Sequence, residues 1–274
     1  MSASRPTLRV VVTLILVLAA AAPSVAQDPK KPVEPEYGQP GKDVVWVPTS
    51  PALVQKMLDL AGVTPADYVI DLGSGDGRTV IAAAKRGARA LGIEYNQDLV
   101  DLSTLTAKAE GVAANASFVK ADLFESDFSQ ATVITMFLLT DINIKLRPTL
   151  LNLKPGTRIV TNTFKMGSWE PDESATIEGD CTSWCTAHLW VVPAQVDGPW
   201  KLGDATLTLV QNFQTVSGTL AQGNVSTALL GARLRGDDIR FTVADAVYAG
   251  KVTGDTMSGT VKTGTKTADW TAKR

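Results

Sequence analysis

Metal ligands are scarce in this chain, whose 274 residues include one histidine, His188, and two cysteines, Cys181 and Cys185. Even with Asp180, three firm ligands in one short segment make a poor structural zinc site, so no metal is expected. The Cys-Thr-Ser-Trp-Cys spacing is read as a local disulfide, with free thiols as the alternative. Excess positive charge is missing too. With 26 Lys and Arg against 28 Asp and Glu, the net charge is -2. No basic stripe stands out, which disfavours a polynucleotide partner. The apolar run Val10 to Ala22 falls short of the roughly 20 residues that a membrane span needs.

That run follows Arg5 and Arg9 and is followed by Pro23-Ser24-Val25-Ala26, a small-x-small ending. Residues 1–26 are therefore read as a signal peptide cleaved after Ala26, giving a periplasmic or secreted protein without stable membrane insertion. An uncleaved membrane anchor is the alternative. Without this segment the chain carries 24 basic and 28 acidic residues, a net charge of -4. Residues 27–42 are proline-rich and charged and read as a linker.

What is present centres on Val69-Ile70-Asp71-Leu72-Gly73-Ser74-Gly75-Asp76-Gly77-Arg78. An apolar run ends at an acid and then breaks into alternating glycines before a helical pattern, which reads as strand, ligand-binding turn and helix. Gly73, Gly75 and Gly77 let a ligand approach the backbone, and the next helix points its free N–H groups at it. The spacing is G-x-G-x-G, whereas a dinucleotide fingerprint asks for G-x-G-x-x-G. A nicotinamide-dependent oxidoreductase is accordingly disfavoured.

Upstream, Thr49-Ser50-Pro51 starts a helix with a hydroxyl cap and an early proline, and Leu53, Val54, Met57, Leu58 and Leu60 form its apolar stripe. Trp46-Val47-Pro48 either packs there or lines the pocket. Downstream, a helix over 79–86, a strand over 88–94 ending at Glu94, a helix over 97–110 and a strand over 116–121 ending before Asp122-Leu123-Phe124 are expected. An acid about 20 residues past the glycine turn is where such folds hold ribose hydroxyls, which points to Glu94. Asp122 is either a ligand contact or a helix cap. A central strand over 131–139, a helix over 141–153, a strand over 157–164 and a closing antiparallel pair over 174–179 and 187–192 complete the pattern. The expected fold is α/β, a Rossmann-like, mostly parallel seven-stranded sheet over 43–196. From 197 to 274, short alternating runs are punctuated by Gly-Asp at 203, 236 and 254, predicting an all-β meander that closes into a small barrel or sandwich.

The segment Asp71 to Arg78, with Glu94 and Asp122 following in order at strand ends, resembles class I S-adenosylmethionine (SAM) dependent methyltransferases over about residues 43–196. With Trp46-Val47-Pro48-Thr49-Ser50-Pro51 upstream, it is similar to the protein-lysine methyltransferases that modify the c-ring protein of ATP synthase and the adenine nucleotide translocase. The resemblance implies SAM as cofactor, held by Asp71, Gly73, Ser74, Gly75, Gly77, Glu94, Asp122 and Leu123, and a protein lysine amine as methyl acceptor. Asn-Pro-Pro-Tyr is absent; Phe137-Leu138-Leu139-Thr140 stands where it would fall, so methylation of bases or glutamine is not implied. Thr49, Phe137 and Asp141 are the acceptor-side candidates, with no general base assigned. The alternative is an exported, non-catalytic binding protein that retains this fold.

Overall fold

The computed structural model describes residues 1–3, 34–179 and 181–274. Residues 4–26 of the expected signal peptide and 27–33 of the expected linker lie outside the described residues, as does Asp180. The chain divides at residues 31–32, and the fold belongs to the unit Pro32–Arg274.

Helix α1 (Pro51–Leu60) begins where Ser50 stays extended and its hydroxyl accepts the Leu53 N–H at 3.3 Å. The apolar stripe is buried through Leu53, Val54, Met57 and Leu58. Strands β1 (Tyr68–Leu72), β2 (Arg89–Glu94), β3 (Ala116–Lys120), β4 (Val133–Met136) and β5 (Arg158–Asn162) run parallel. Helices α2 (Arg78–Lys85), α3 (Gln97–Ala109) and α4 (Thr140–Leu151) connect them. Strands β6 (Glu173–Thr176) and β7 (Thr186–Val191) add antiparallel pairs, giving the order β3-β2-β1-β4-β5-β7-β6. The sheet is covered on both faces. In β1, Val69 belongs to the cluster with Leu53 and Val80, while Ile70 and Leu72 pack with Ile142 and Leu146. Runs buried on both sides are what a parallel sheet demands.

The expected strand over 131–139 is shorter than its apolar run. Pairing stops at Met136, and Phe137 to Leu139 leave the sheet as the entry into α4.

The C-terminal region closes into a barrel of eight antiparallel strands. They are β8 (Gly198–Leu202), β9 (Ala205–Asn212), β10 (Thr215–Gln222), β11 (Val225–Arg235), β12 (Asp238–Val243), β13 (Ala246–Thr253), β14 (Thr256–Thr263) and β15 (Lys266–Lys273). The expectation of a barrel or sandwich resolves to the barrel. Closure leaves no free sheet edge, and the interior is filled by side chains such as Trp200, Leu207, Phe241 and Met257. Trp270 fits because its neighbours lack side chains: a Cβ on Gly250 would come within 2.7 Å of its ring. Its indole N–H is shared by the carbonyls of Ala249 and Thr260.

The barrel is fastened to the sheet by buried polar contacts. The Trp169 indole donates to Gln214 Oε1 at 2.9 Å, and Gln214 Nε2 donates to the Glu170 carbonyl at 2.7 Å. Phe213, left-handed at φ 54, stacks on Trp169 with centroids 5.7 Å apart. Arg233 pairs with Asp172, whose side chain is fully buried.

Candidate active site

The strand order reverses between β1 and β4, so a crevice opens above their carboxyl ends, where open α/β sheets bind ligands. It contains a cavity of about 330 Å³ lined by the turn after β1, the end of β2, the segment after β3, the loops after β4 and β5, residues 37–49, and Trp184.

The glycine turn is built by its neighbours. Gly73 and Ser74 both donate to the Ile93 carbonyl, at 2.9 and 3.1 Å. Gly75 donates to Glu94 Oε2 at 2.9 Å, while Asn96 donates to Glu94 Oε1 at the same distance. Glu94 thus anchors the turn and faces the cavity. A Cβ on Gly75 would lie 2.8 Å from Trp46 Nε1, so the upstream segment presses directly on the turn. Gly77 differs from the sequence expectation. It does not line the cavity; a Cβ there would meet Phe118 and Ser103 at 2.7 Å, so its bareness serves the packing of the turn on β3 and α3.

The other expected ligand residues Asp71, Gly73, Ser74, Asp122 and Leu123 line the cavity, as do Thr49 and Phe137. Asp141 does not; it is exposed in the first turn of α4. Thr49 is buried, and its hydroxyl accepts from Asn162 Nδ2 at 3.2 Å. Asp122 accepts the Phe124 N–H at 2.9 Å and is ion-paired with Lys42, which lies over the Tyr95 ring. The hydrogen bond from Lys42 holds the Asp122 carboxyl below the usual carboxylate range. Asp71 is raised to about 7, chiefly by burial; the Thr135 hydroxyl, donating at 2.6 Å, opposes this, and Glu94 and Asp76 add to it.

Charge on the lining selects the ligand. Asp43, Asp71, Asp76, Glu94 and Asp122 stand against Lys42 and Arg78, and those two cations are already paired, with Asp122 and Asp76. A pyrophosphate would meet carboxylates here, whereas a cationic sulfonium carrying an ammonium group is matched. The Ser74 hydroxyl is buried in this lining with no hydrogen-bond partner, a group that a bound ligand can satisfy.

Sequence reasoning missed three contributors: the segment 37–45, Phe164 and Trp184. Residues 38–46 fold back on themselves, Gly38 donating to the Trp46 carbonyl and Trp46 to the Gln39 carbonyl, both at 2.9 Å. The cysteines form the expected disulfide, which closes the loop that presents Trp184. His188 lies outside the cavity, with Nε2 donating to the Thr163 carbonyl and Nδ1 accepting from Ser174; burial lowers its pKa.

Comparison with known proteins agrees with this geometry. Residues 71–173 match the family model for the ANTKMT methyltransferase domain. The chain is 43% identical over 152 residues to a protein-lysine N-methyltransferase of Saccharolobus islandicus, covering 54% of this chain and 94% of that protein. It is 34% identical over 173 residues to the human lysine N-methyltransferase named for the c-ring protein of ATP synthase, covering 63% and 69% respectively. Among solved structures, an RNA methyltransferase from Salinibacter ruber in complex with S-adenosyl-L-homocysteine (SAH) aligns with a TM-score of 0.52 and 46% identity, covering 55% of this chain and 96% of that one.

Proposed function

We propose, from the premise that this chain belongs to the SAM-dependent protein-lysine methyltransferases, that it methylates lysine side chains of protein substrates outside the cytoplasm. The observation that carries the reading is the division of the cavity. Its β1–β3 half is acidic and suits a cation, while its β4–β7 half is walled by Phe137, Phe164 and Trp184 and suits an alkyl amine.

In this reading the backbone of Gly73 and Gly75 holds the methionine part of the cofactor beside Asp71. Ser74 gains a partner, Glu94 takes the ribose hydroxyls, and Asp122 with Leu123 receives the adenine once Lys42 gives way. Gly77 acts behind the turn as a spacer. The cofactor supplies an electrophilic methyl group, so the chain's task is alignment, and positioning alone can contribute several kcal/mol. The lysine nitrogen must shed a proton before attack, since its free pKa is about 10.4. When bound, SAM would supply its methyl group to the nitrogen and leave as SAH with the carbon–sulfur bonding electrons, while the amine proton would pass to solvent. Thr49 and Phe137 are the acceptor-side residues at hand; Asp141, exposed and away from the lining, is not given a role.

An extracytoplasmic site is supported by the disulfide, which persists in oxidising compartments, and by the signal-like residues 1–26. Among the described residues no helix is long and apolar enough to cross a membrane. The Salinibacter relative is described as an RNA methyltransferase, but the acidic lining and a net charge of -2 weigh against a polynucleotide here. The test is incubation of the purified protein with methyl-labelled SAM and separated exported protein and RNA fractions. Label recovered as Nε-methyllysine is expected. Label confined to RNA, or none in either fraction, overturns the proposal.

A further inference from the structure

Three loops from adjacent strands bring one aromatic side chain each to the acceptor half of the cavity. Phe137 follows β4, Phe164 follows β5, and Trp184 sits in the β6–β7 connection. Phe137 is central: its ring lies 6.0 Å from that of Phe164 with planes 22° apart, and 6.0 Å from that of Trp184 at 62°. These rings are not core packing. Phe137 and Phe164 are half-buried, and Trp184 is 37% exposed while still lining the cavity.

Two of the three rings are held by strained backbone. Thr163, β-branched yet at φ 58, makes a tight turn in which the Phe164 N–H donates to the Asn162 carbonyl at 2.6 Å. This is the rare γ-turn geometry, and it aims Phe164 into the cavity. Trp184 is itself left-handed at φ 56, inside the ring closed by Cys181 and Cys185. Left-handed backbone is unfavourable for an L-residue, and such conformations persist at sites where the surroundings enforce them. Here a disulfide does so for an exposed tryptophan.

We propose that Phe137, Phe164 and Trp184 form an aromatic clamp for the substrate's lysine side chain and its methylated ammonium, with the disulfide loop setting the position of Trp184. The clamp rests on the lysine reading above. Its chemistry is that of cation–π recognition: a quaternary or partly methylated ammonium is attracted to ring faces within about 6 Å, and the aliphatic stem packs against the same walls. Trp184 is thereby a specificity-determining residue, and opening the disulfide frees it from the conformation the clamp requires.

The test needs no turnover. The full, oxidised protein loaded with SAH is titrated with Nα-acetyl-Nε-trimethyllysine amide, and in parallel with the neutral analogue bearing carbon in place of Nε. The cation is expected to bind at least tenfold more tightly. Trp184→Ala and Phe164→Leu should each weaken it about tenfold, with SAH affinity within twofold of the parent; Trp184→Phe should stay within threefold. A Cys181→Ser, Cys185→Ser double variant should resemble Trp184→Ala. Equal binding of charged and neutral probes, or full affinity in Trp184→Ala or Phe164→Leu, overturns the clamp, and full affinity in the double variant overturns the role of the disulfide. Failure of lysine methylation with this pattern intact would instead sink the reaction assigned above.

Discussion

The ligand edge of the sheet and the interior of the barrel handle polar groups in opposite ways. Among the described residues, four buried side-chain polar atoms lack partners, on Ser74, Asn143, Asn162 and Thr163, and all four belong to the sheet's carboxyl edge or the first turn of α4. None is in the barrel, where the buried indoles of Trp200 and Trp270 donate to backbone carbonyls. Buried polar groups are ordinarily satisfied, and of these four exceptions Ser74 belongs to the cavity lining. The barrel shows what the same chain does when closure is the only demand.

If that contrast is right, damage to the two regions separates stability from binding. The largest effect is expected for Trp270→Ala, which empties a site 5% exposed at the barrel's centre. A loss of about 3–5 kcal/mol is expected in denaturant unfolding, with SAH affinity unchanged at temperatures where the variant is folded. Loss of SAH affinity in the folded variant would join the barrel to the site and break the comparison. Next comes Gly75→Arg. A side chain there meets Trp46 and must adopt φ 55. Calorimetric SAH binding should fall at least 100-fold, about 2.7 kcal/mol, with the unfolding midpoint much less affected than in Trp270→Ala.

The same contrast explains what could be read without coordinates. Strands buried on both faces and hairpins marked by Gly-Asp pairs are local patterns, and both lobes were legible from them. Glu94 and Asp122 were legible because strand ends lie at predictable distances from the glycine turn. Phe164 and Trp184 were not, since a residue's arrival at the cavity depends on a γ-turn at Thr163 and on where a disulfide loop folds, and neither leaves a periodic trace. Gly77 shows the converse limit: its spacing matches a ligand-facing glycine, yet it faces Phe118 and Ser103. Periodicity identifies a bare backbone position and leaves open which neighbour requires it.

The smallest expected effect is also the one most particular to the ligand edge. Burial raises Asp71 to about 7 against 3.8 when free, with Glu94 and Asp76 reinforcing the shift and the Thr135 hydroxyl opposing it. The folded state therefore holds a proton that the unfolded chain releases, so this group's contribution to stability is fully present below about pH 4 and is lost as pH rises toward 7. Cofactor affinity should run the other way. If, as proposed, the ammonium of SAM or SAH pairs with ionised Asp71, binding should be flat above about pH 7 and weaken by up to about tenfold per pH unit below it, about 1.4 kcal/mol per unit. Calorimetry of SAH binding between pH 6 and 8 in buffers of differing ionisation enthalpy should record proton release on binding near pH 6. Asp71→Asn should bind more weakly at pH 8 and remove the slope. A slope that survives Asp71→Asn would take the titration away from Asp71 and leave it as a buried partner of Thr135 alone, a polar contact of the kind the barrel already contains.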